Sequence, residues 1–346
     1  MKFLLLFSIF MIVLILSIRF WPSRYYHGPV SDHYDGNKFY NPELRYSKSF
    51  FEVLQWQLTS KTPIWPETRP ALQMDHPPKQ VKDNSFRMSM VGHSTVLIQT
   101  QGLNILTDPV WSERASPFQW IGPKRSVLPG IEFSDLPKID VVIVSHNHYD
   151  HMDEQTIKRL YKEHNPLFVT PLGNDTLLYK MEPAIRVKTL DWREHIALDN
   201  SLVKVWCYPA QHWSSRWLND QNKALWGAFI IETPAGNIYF AGDTGYGTGS
   251  HFKAAQAHFK KFKVALLPIG AFEPRWFMAY SHINPDQAIQ AMQDLKAQHS
   301  IALHFQTFRI ADDQYDEPVT VLKEGLKKHP KLDFKILNAG EKVVFE

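Results

Sequence analysis

Three histidines and an aspartate lie within six positions of one another, directly after a short apolar run. The run, Val141–Val144, predicts a buried strand. The cluster consists of His146, His148, Asp150 and His151. Zinc is bound in proteins by neutral imidazole and by carboxylate. A turn after the strand would bring the first two histidines to one ion and the last two residues to a second. The cluster therefore predicts a metal site at a strand end.

Four ligands do not complete the coordination of two tetrahedral ions, so this interpretation requires further ligands at other strand ends. His212, Asp243 and His304 each follow an apolar, strand-like run. One such residue alone would usually be structural, whereas all seven in this pattern are hard to explain by coincidence. They predict a centre in which two ions act on one substrate.

Short strand-like segments alternate with helical ones from Phe86 to the end of the chain. Strands are predicted at 86–91, 94–100, 103–107, 140–144, 202–208, 225–232, 237–241, 263–268, 300–304, 334–338 and 342–345. Helices are predicted at 154–164, 174–181, 251–261, 285–298 and 318–328. Asn284 and Pro285 are typical of a helix start, and Pro234 to Asn237 of a turn. The order of elements favours an α/β fold, an αββα sandwich with helices outside two sheets.

The first 21 residues predict a membrane anchor. Residues 3–18 are apolar apart from two serines. As a helix this run spans about 24 Å, which is short for a hydrocarbon core of about 30 Å, and Phe20 and Trp21 extend it into the interface. A cleaved signal peptide is the alternative, but residues 19–22 lack the small side chains of a cleavage site. We expect an uncleaved anchor over residues 1–21, on a membrane side that the flanking charges leave open.

Residues 22–84 predict an N-terminal extension that precedes a catalytic domain at 85–346. The extension is rich in Pro, Tyr and Trp. Within it, Ser49 to Leu58 predicts a short amphipathic helix. One face carries Phe50, Val53, Leu54 and Leu58, with Phe51 and Trp56 beside it. Packing against the catalytic domain is one interpretation of this face, and a membrane-facing or acyl-binding role is the other.

Charge and cysteine content narrow the function classes. A net charge of +3 over 346 residues, with no long basic run, gives no reason to expect a nucleic-acid partner. The single cysteine, Cys207, cannot form an internal disulfide, and its apolar surroundings in the sequence predict a buried thiol. The high number of tryptophans, 11, has two interpretations: they fill a large core, or they contact an apolar substrate or a membrane surface.

The His-x-His-x-Asp-His motif, with the later His, Asp and His, resembles the metallo-β-lactamase superfamily. Further motifs resemble the N-acylphosphatidylethanolamine-hydrolysing phospholipase D group within it. These include Thr107-Asp108-Pro109, Ile121 to Arg125, Gln211-His212-Trp213, Leu225-Trp226-Gly227, Phe240 to Tyr246, and Pro268 to Met278. The resemblance covers roughly residues 86–346.

The resemblance implies a role for each ligand. One zinc ion would be held by His146, His148 and His212, and the other by Asp150, His151 and His304. Asp243 would bridge the two ions.

The resemblance also implies roles for residues around the ligands. Asp108 would orient a ligand histidine, with an ordinary turn aspartate as the alternative. Asp150 and His282 would act in catalysis, His282 by hydrogen-bonding a phosphoryl oxygen or protonating a leaving group; a surface histidine is the alternative. Ser281 stands where the better-known animal enzymes carry Gln, so the resemblance does not determine which lipid is the substrate.

The expected activity is zinc-dependent phosphodiester hydrolysis of a glycerophospholipid, in the sense of phospholipase D, on N-acylphosphatidylethanolamine or a related lipid. The expected partners are this substrate and the membrane, and a homodimer is compatible with the sequence. The alternatives are a lactonase or phosphodiesterase of the same fold that acts on a soluble substrate, and a non-catalytic, membrane-tethered zinc protein. A serine esterase is disfavoured, because Val96 replaces the final glycine of the nucleophile elbow that Gly92 to Ser94 begins.

Overall fold

The computed structural model describes residues 24–45, 48–61, 63–198, 202–217 and 219–346. The anchor predicted over residues 1–21 lies outside them. The strands are β1 Phe86–Gly92, β2 Thr95–Thr100, β3 Leu103–Thr107, β4 Val141–Ile143, β5 Leu167–Pro171, β6 Arg186–Leu190, β7 His195–Ala197, β8 Lys204–Tyr208, β9 Ala228–Thr233, β10 Gly236–Phe240, β11 Phe262–Pro268, β12 Ala297–Leu303, β13 Asp333–Lys335 and β14 Lys342–Phe345. The helices are α1 Phe50–Thr59, α2 Glu154–His164, α3 Asp175–Met181, α4 Ser250–Phe259, α5 Arg275–Met278, α6 Pro285–Leu295 and α7 Glu317–Lys327, with a 3-10 turn at Phe133–Asp135.

The strands form two seven-stranded sheets of matching design. The first has the order β14-β1-β2-β3-β4-β5-β6, and the second β13-β12-β11-β10-β9-β8-β7. Each sheet joins three antiparallel pairs to three parallel ones. The last strand, β14, pairs with β1, so the C-terminus of the chain completes the first sheet.

The main core lies between the two sheets. Ile98 and Ile143 from the first sheet pack there with Phe229 and Leu266 from the second, all fully buried. A second core lies outside the first sheet and includes Ile157 of α2, while α6 packs on β11 and β12 outside the second sheet. Apolar side chains on both faces explain the continuous hydrophobic runs of these strands. The predicted αββα sandwich is confirmed.

Local signals of the sequence account for two well-defined elements. Asn284 accepts a hydrogen bond from the Gln287 backbone at the start of α6, and the Gln287 side chain bonds back, which forms a capping box. Pro234 and Ala235 connect β9 to β10. Gly236 has a φ of +131°, a backbone conformation that glycine adopts without the strain that a Cβ atom would cause. The predicted turn at this position is confirmed.

The N-terminal segment packs onto the sandwich at several points. The Asp75 carboxylate accepts two hydrogen bonds from the Arg87 guanidinium of β1, at 2.6 and 2.8 Å, and both side chains are buried. The predicted amphipathic helix is present as α1, begun by a capping box of Ser49 and Glu52. Among the described residues, the helices are too short or too polar to cross a bilayer.

Candidate metal centre

The histidine-rich segment forms a tight loop between β4 and α2. The backbone N–H of Ser145 donates to Asp108 Oδ1 at 2.7 Å, which fixes the start of the loop. At its end, the carbonyl of His148 accepts hydrogen bonds from the N–H groups of His151 and Met152. The loop turns back on itself, and this explains how side chains two to five positions apart point to one place.

The later candidates reach the same place from the second sheet. Strands β8, β10 and β12 run in the same direction, and His212, Asp243 and His304 follow their C-terminal ends. Ligands at the carboxyl ends of aligned strands gather at one edge of a sheet. The structure therefore brings all seven predicted residues together at the shared edge of the two sheets.

Three imidazoles form one candidate cluster. His148 Nδ1 lies 2.8 Å from His146 Nε2 and 3.3 Å from His212 Nε2. Hydrogen bonds on the far side of two rings fix which nitrogen is free. His212 Nδ1 donates to the Ser281 carbonyl at 2.9 Å, and Ser145 Oγ lies 2.9 Å from His146 Nδ1. Both rings therefore present an Nε2 lone pair to the cluster, as metal ligation requires.

Two imidazoles and a carboxylate form a second candidate cluster. Asp150 Oδ2 lies 3.3 Å from the Nε2 atoms of both His151 and His304. The Asp108 carboxylate lies 2.6 Å from His151 Nδ1 and is fully buried. Asp108 therefore accepts the N–H of His151, so that the Nε2 lone pair of this ring faces the cluster.

Asp243 lies between the two clusters. Its Oδ2 atom is 3.2 Å from the Nε2 atoms of His151 and His304, 3.8 Å from that of His212 and 4.0 Å from that of His146. Its Oδ1 atom is buried and has no hydrogen-bond partner among the described residues. An unpartnered buried carboxylate oxygen is costly unless a cation is bound. One carboxylate thus faces both ligand sets, the geometry expected of a bridging ligand.

The electrostatics of the two clusters differ. Burial lowers the pKa of His148 and of His212 to about 3, so both rings are neutral. For His304, burial lowers the pKa, but Asp243 and Asp150 raise it to about 9. A place that attracts a proton so strongly also attracts a divalent cation, because the same two carboxylates act on both.

His93 joins the site although the sequence did not predict it. It lies in the turn between β1 and β2, and its Nε2 is 3.0 Å from Asp150 Oδ2. Its carbonyl accepts the backbone N–H of His304 at 2.9 Å. His93 can orient Asp150 from behind or serve as a further ligand of the second cluster. The Gly92-His93-Ser94 motif forms the turn between β1 and β2, and its histidine lies beside Asp150 of the second cluster.

His282 lies at the open side of Asp243. Its Nδ1 is 3.8 Å from Asp243 Oδ2 and has no hydrogen-bond partner among the described residues. The backbone holds the ring in place, because its N–H donates to the Met278 carbonyl and its own carbonyl accepts from the Arg275 guanidinium. Burial lowers the pKa of His282 well below its ordinary value, although Asp243 opposes this. A neutral, positioned imidazole is suited to donate a hydrogen bond.

A cavity of about 660 Å³ opens onto the two clusters. Its floor carries His148, Asp150, Asp243 and His282. Its walls are mostly aromatic and apolar and include Val53, Trp56, Trp213, Trp217, Phe277, Met278, Tyr280 and Ile310. Helix α1 supplies one wall, since the Trp56 ring stacks on Phe277 with 4.9 Å between centroids. This cavity has the size and lining of a site for an apolar molecule with one polar group.

The inner face of α1 differs from the predicted one. Val53 and Trp56 pack against the sandwich and line the cavity, whereas Leu54 and Leu58 are exposed, Leu58 at 78%. Trp56 Nε1 donates to Asp312 Oδ1 at 3.2 Å, and this bond, together with the packing on Phe277, holds this face of the helix against the sandwich. Apolar residues lie all around this helix, so the periodicity could not show which of them face inwards.

Comparison with known proteins agrees with this geometry. Residues 103–305 match the Beta-lactamase superfamily domain. The chain is 37% identical over 242 residues to the N-acyl-phosphatidylethanolamine-hydrolyzing phospholipase D 1 of Caenorhabditis elegans, a match that covers 68% of each protein. It is 33% identical over 252 residues to the mitochondrial N-acyl-phosphatidylethanolamine-hydrolyzing phospholipase D of Saccharomyces cerevisiae, and this match covers 70% of the chain and about half, 53%, of the yeast protein.

A solved structure shares the fold. Igni18, a metallo hydrolase from the hyperthermophilic archaeon Ignicoccus hospitalis, superposes with a TM-score of 0.58 over 76% of this chain and 99% of its own. The sequence identity is 21%, so this likeness concerns the fold alone.

Proposed function

The chain belongs to the beta-lactamase superfamily of metal-dependent hydrolases, and on that premise we propose that it hydrolyses a phosphodiester bond of a glycerophospholipid, in the sense of phospholipase D. The substrate would be N-acylphosphatidylethanolamine or a related lipid. One observation carries the proposal: Asp243, which faces both ligand sets, lies on the floor of an aromatic cavity large enough for part of a lipid. The identity to the nematode and yeast enzymes supports the same chemistry.

The metal in this proposal is zinc, two ions per chain. His146, His148 and His212 would hold one ion, Asp150, His151 and His304 the other, and Asp243 both. The donor set fits zinc, because it consists of imidazole nitrogens and carboxylate oxygens. Buried atoms without a hydrogen-bond partner among the described residues, including His304 Nε2 and Asp243 Oδ1, fit a bound cation. Zinc supplies a hydrolytic nucleophile near neutral pH and stabilises phosphoryl oxygens as a Lewis acid.

The residues of the chain would orient the substrate and stabilise its developing charge. His282, held by Met278 and Arg275, would donate a hydrogen bond to a phosphoryl oxygen as negative charge accumulates on it. Asp150 would fix the second ion while His93 steadies its carboxylate. The aromatic walls would bind acyl chain and exclude bulk water, which strengthens each of these polar interactions.

The N-terminal parts of the chain would bring the enzyme to its substrate. Residues 1–21 would anchor it in the membrane, residues 22–84 would complete the cavity through α1, and residues 85–346 would form the catalytic domain. The contribution of Val53 and Trp56 to the cavity wall supports this division of labour. A lipid substrate makes an anchor useful, because both are then confined to the same bilayer.

The proposal is tested by determining which reaction product contains an oxygen atom from solvent water. The purified full-length protein is incubated in H₂¹⁸O with detergent-dispersed phospholipids that include N-acylphosphatidylethanolamine, and the products are analysed by mass spectrometry. We expect one ¹⁸O atom in phosphatidic acid and none in the released N-acylethanolamine, with activity that a chelator removes and zinc restores. Label in a free fatty acid would instead indicate carboxylic ester hydrolysis. Turnover of a soluble lactone without any lipid product would favour the alternative function.

A further inference from the structure

We propose that Lys48 is a substrate-binding residue whose ammonium group pairs with the phosphodiester anion of the lipid. The inference rests on the proposed function and assigns a residue outside the metal centre to substrate recognition. Lys48 precedes α1 and lies in the wall of the same cavity as His148, Asp243 and His282. The positive charge of Lys48 in the cavity therefore comes from the N-terminal segment and not from the sandwich.

The ammonium group of Lys48 is held against the segment that leads to His282. Its Nζ atom lies 3.8 Å from the centre of the Phe277 ring and 4.0 Å from Met278 Sδ. The carbonyl of Met278 accepts the backbone N–H of His282 at 2.9 Å. A cation over an aromatic face is attracted by the ring quadrupole, which orders the long lysine side chain. The ammonium group is therefore ordered in the cavity that His282 also lines.

The charge of Lys48 has no carboxylate partner within ion-pairing distance in the described part of the chain. Glu52, the acidic side chain that acts on its pKa, bonds instead to the Ser49 backbone in the capping box of α1. Burial lowers the pKa of Lys48 to about 8, so the side chain is mostly protonated at neutral pH. A desolvated cation without a counter-ion is unfavourable. An anionic ligand in the cavity would relieve this.

The other charged groups of the cavity favour a phosphodiester as that anion. Asp150 and Asp243 face the imidazole clusters, and bound metal would neutralise them. Most of the remaining wall is aromatic or aliphatic and suits an acyl chain, and its polar side chains, Ser215, Gln221 and Asn222, carry no charge. A phosphodiester carries one full negative charge on its non-bridging oxygens, whereas a lactone or a carboxylic ester carries none. Lys48 would therefore discriminate between the charged and the uncharged substrates that this fold could hydrolyse.

The test compares Lys48→Met, which keeps the length of the side chain, with Lys48→Arg, which keeps the charge. Lys61→Met is the matched control, because it removes an exposed charge from the same segment. The ligand is a phosphonate analogue of a short-chain N-acylphosphatidylethanolamine, N-hexanoyl dihexanoylphosphatidylethanolamine, in which CH₂ replaces the scissile oxygen. Its affinity for the zinc-loaded proteins is measured by calorimetry, and KM and kcat are measured on the parent diester. Lys48→Gln serves if Lys48→Met does not fold by circular dichroism.

We expect Lys48→Met to weaken phosphonate binding and raise KM by about tenfold, the loss of one charged hydrogen bond. Lys48→Arg should stay within about threefold of the unmodified protein by the same reasoning, and Lys61→Met should not differ from it. Unchanged affinity in Lys48→Met, or equal weakening by Lys48→Arg, would overturn the inference. If no diester is hydrolysed but Lys48→Met still loses affinity for the phosphonate, the anion site is supported and the proposed reaction is rejected.

Discussion

At the scale of single residues, the metal centre is built from side chains whose far ends are already bonded. Asp108 accepts from His151, the Ser281 carbonyl from His212, and Ser145 is bonded to Asp108. Each bond fixes a ring or a tautomer before any metal binds. Such preorganisation is what separates a metal centre from a chance group of histidines, and substitutions at the site should therefore affect metal content and turnover in distinguishable ways.

Asp243 gives the first prediction. Because its Oδ2 atom faces both ligand sets, Asp243→Ala should lower bound zinc from about two ions per chain to one or fewer and reduce turnover by orders of magnitude. His148→Ala should lower zinc content as well. Elemental analysis and turnover are measured on one sample, with the exposed Asp286→Ala as the control. An Asp243→Ala enzyme with full activity would contradict the dinuclear mechanism.

His282 gives the second prediction. His282→Ala should keep both zinc ions, because the seven proposed ligands do not include His282. It should lower kcat by about 10²–10³-fold, which is the usual loss when one hydrogen-bond donor to developing charge is removed. His282→Asn, which retains an N–H donor, should recover part of the rate. His282 is also close enough to Asp243 and His212 to share an ion with them. Loss of zinc together with kcat would make it a ligand, and an unchanged kcat would remove it from the catalytic step.

The limit of sequence reasoning at this scale is shown by His93. The seven predicted residues were recognisable because each follows an apolar strand and their spacing forms a known pattern. His93 also stands beside a strand end, but in a hairpin whose glycine and serine gave a sufficient local explanation. Its role depends on contact with Asp150, 57 positions away, which no local pattern encodes. The sequence does not single out Lys48 either, because its position depends on contacts with the distant residues Phe277 and Met278.

At the scale of secondary structure elements, most of the strands that the sequence predicts carry apolar side chains on both faces, as β2 and β11 do. Strand β6 was not predicted because exposed Arg186 and Lys188 interrupt its apolar pattern. Strand β5 is buried, but it is short and bounded by prolines, and β7 has only three residues. The helix predicted to end at 298 ends at Leu295, because Lys296 adopts a left-handed φ of +51° and β12 begins directly afterwards. No glycine marked that stop.

The attachment of the N-terminal segment to β1 gives the third prediction. Asp75→Asn should destabilise the protein by about 3 kcal/mol, because it leaves the buried Arg87 guanidinium without its charge partner. Although burial alone would raise it, the hydrogen bonds from Arg87 hold the pKa of Asp75 below its ordinary value. The pair therefore stabilises the fold above the unfolded-state pKa, and this contribution is lost as the pH falls through the lower, folded-state pKa.

Urea unfolding is measured for the native and Asp75→Asn proteins between neutral pH and a pH below about 4, the ordinary pKa of an aspartate. The stability difference between them should be constant at neutral pH and should shrink at the acid end. Glu67→Gln, an exposed change in the same segment, is the control. A stability difference that does not vary with pH would show that packing, and not the charge of Asp75, holds the segment.

At the scale of the whole molecule, a metal centre on the sandwich is joined to an N-terminal segment that supplies a wall of the cavity. The seven proposed ligands lie beyond Val144, and His93 lies beyond the first strand, whereas the predicted anchor ends at Trp21. Chemistry and membrane attachment should therefore be separable. Helix α1 lies between the two functions, with Trp56 towards the cavity and Phe51 and Leu58 each 78% exposed.

Deletion of residues 1–21 is the fourth prediction. It should release the protein from membranes while zinc content and hydrolysis of detergent-dispersed lipid remain near those of the full chain. Sedimentation with phospholipid vesicles, before and after deletion, measures the release. If the shortened protein still sediments, a Phe51→Ser, Leu58→Ser double substitution tests whether the exposed face of α1 holds it. Loss of zinc on deletion would show that the first 21 residues are needed for the fold.

The division of the ligands between the two sheets has a consequence for assembly. If the chain were severed between β6 and β7, one fragment would carry His146, His148, Asp150 and His151, and the other His212, Asp243 and His304. Neither fragment has the donors for a complete dinuclear site, and β14 of the second fragment must pair with β1 of the first. Binding of two zinc ions per pair of fragments would therefore report that the two halves have reassembled. The sandwich could then serve as a split-protein sensor whose signal is its own metal content.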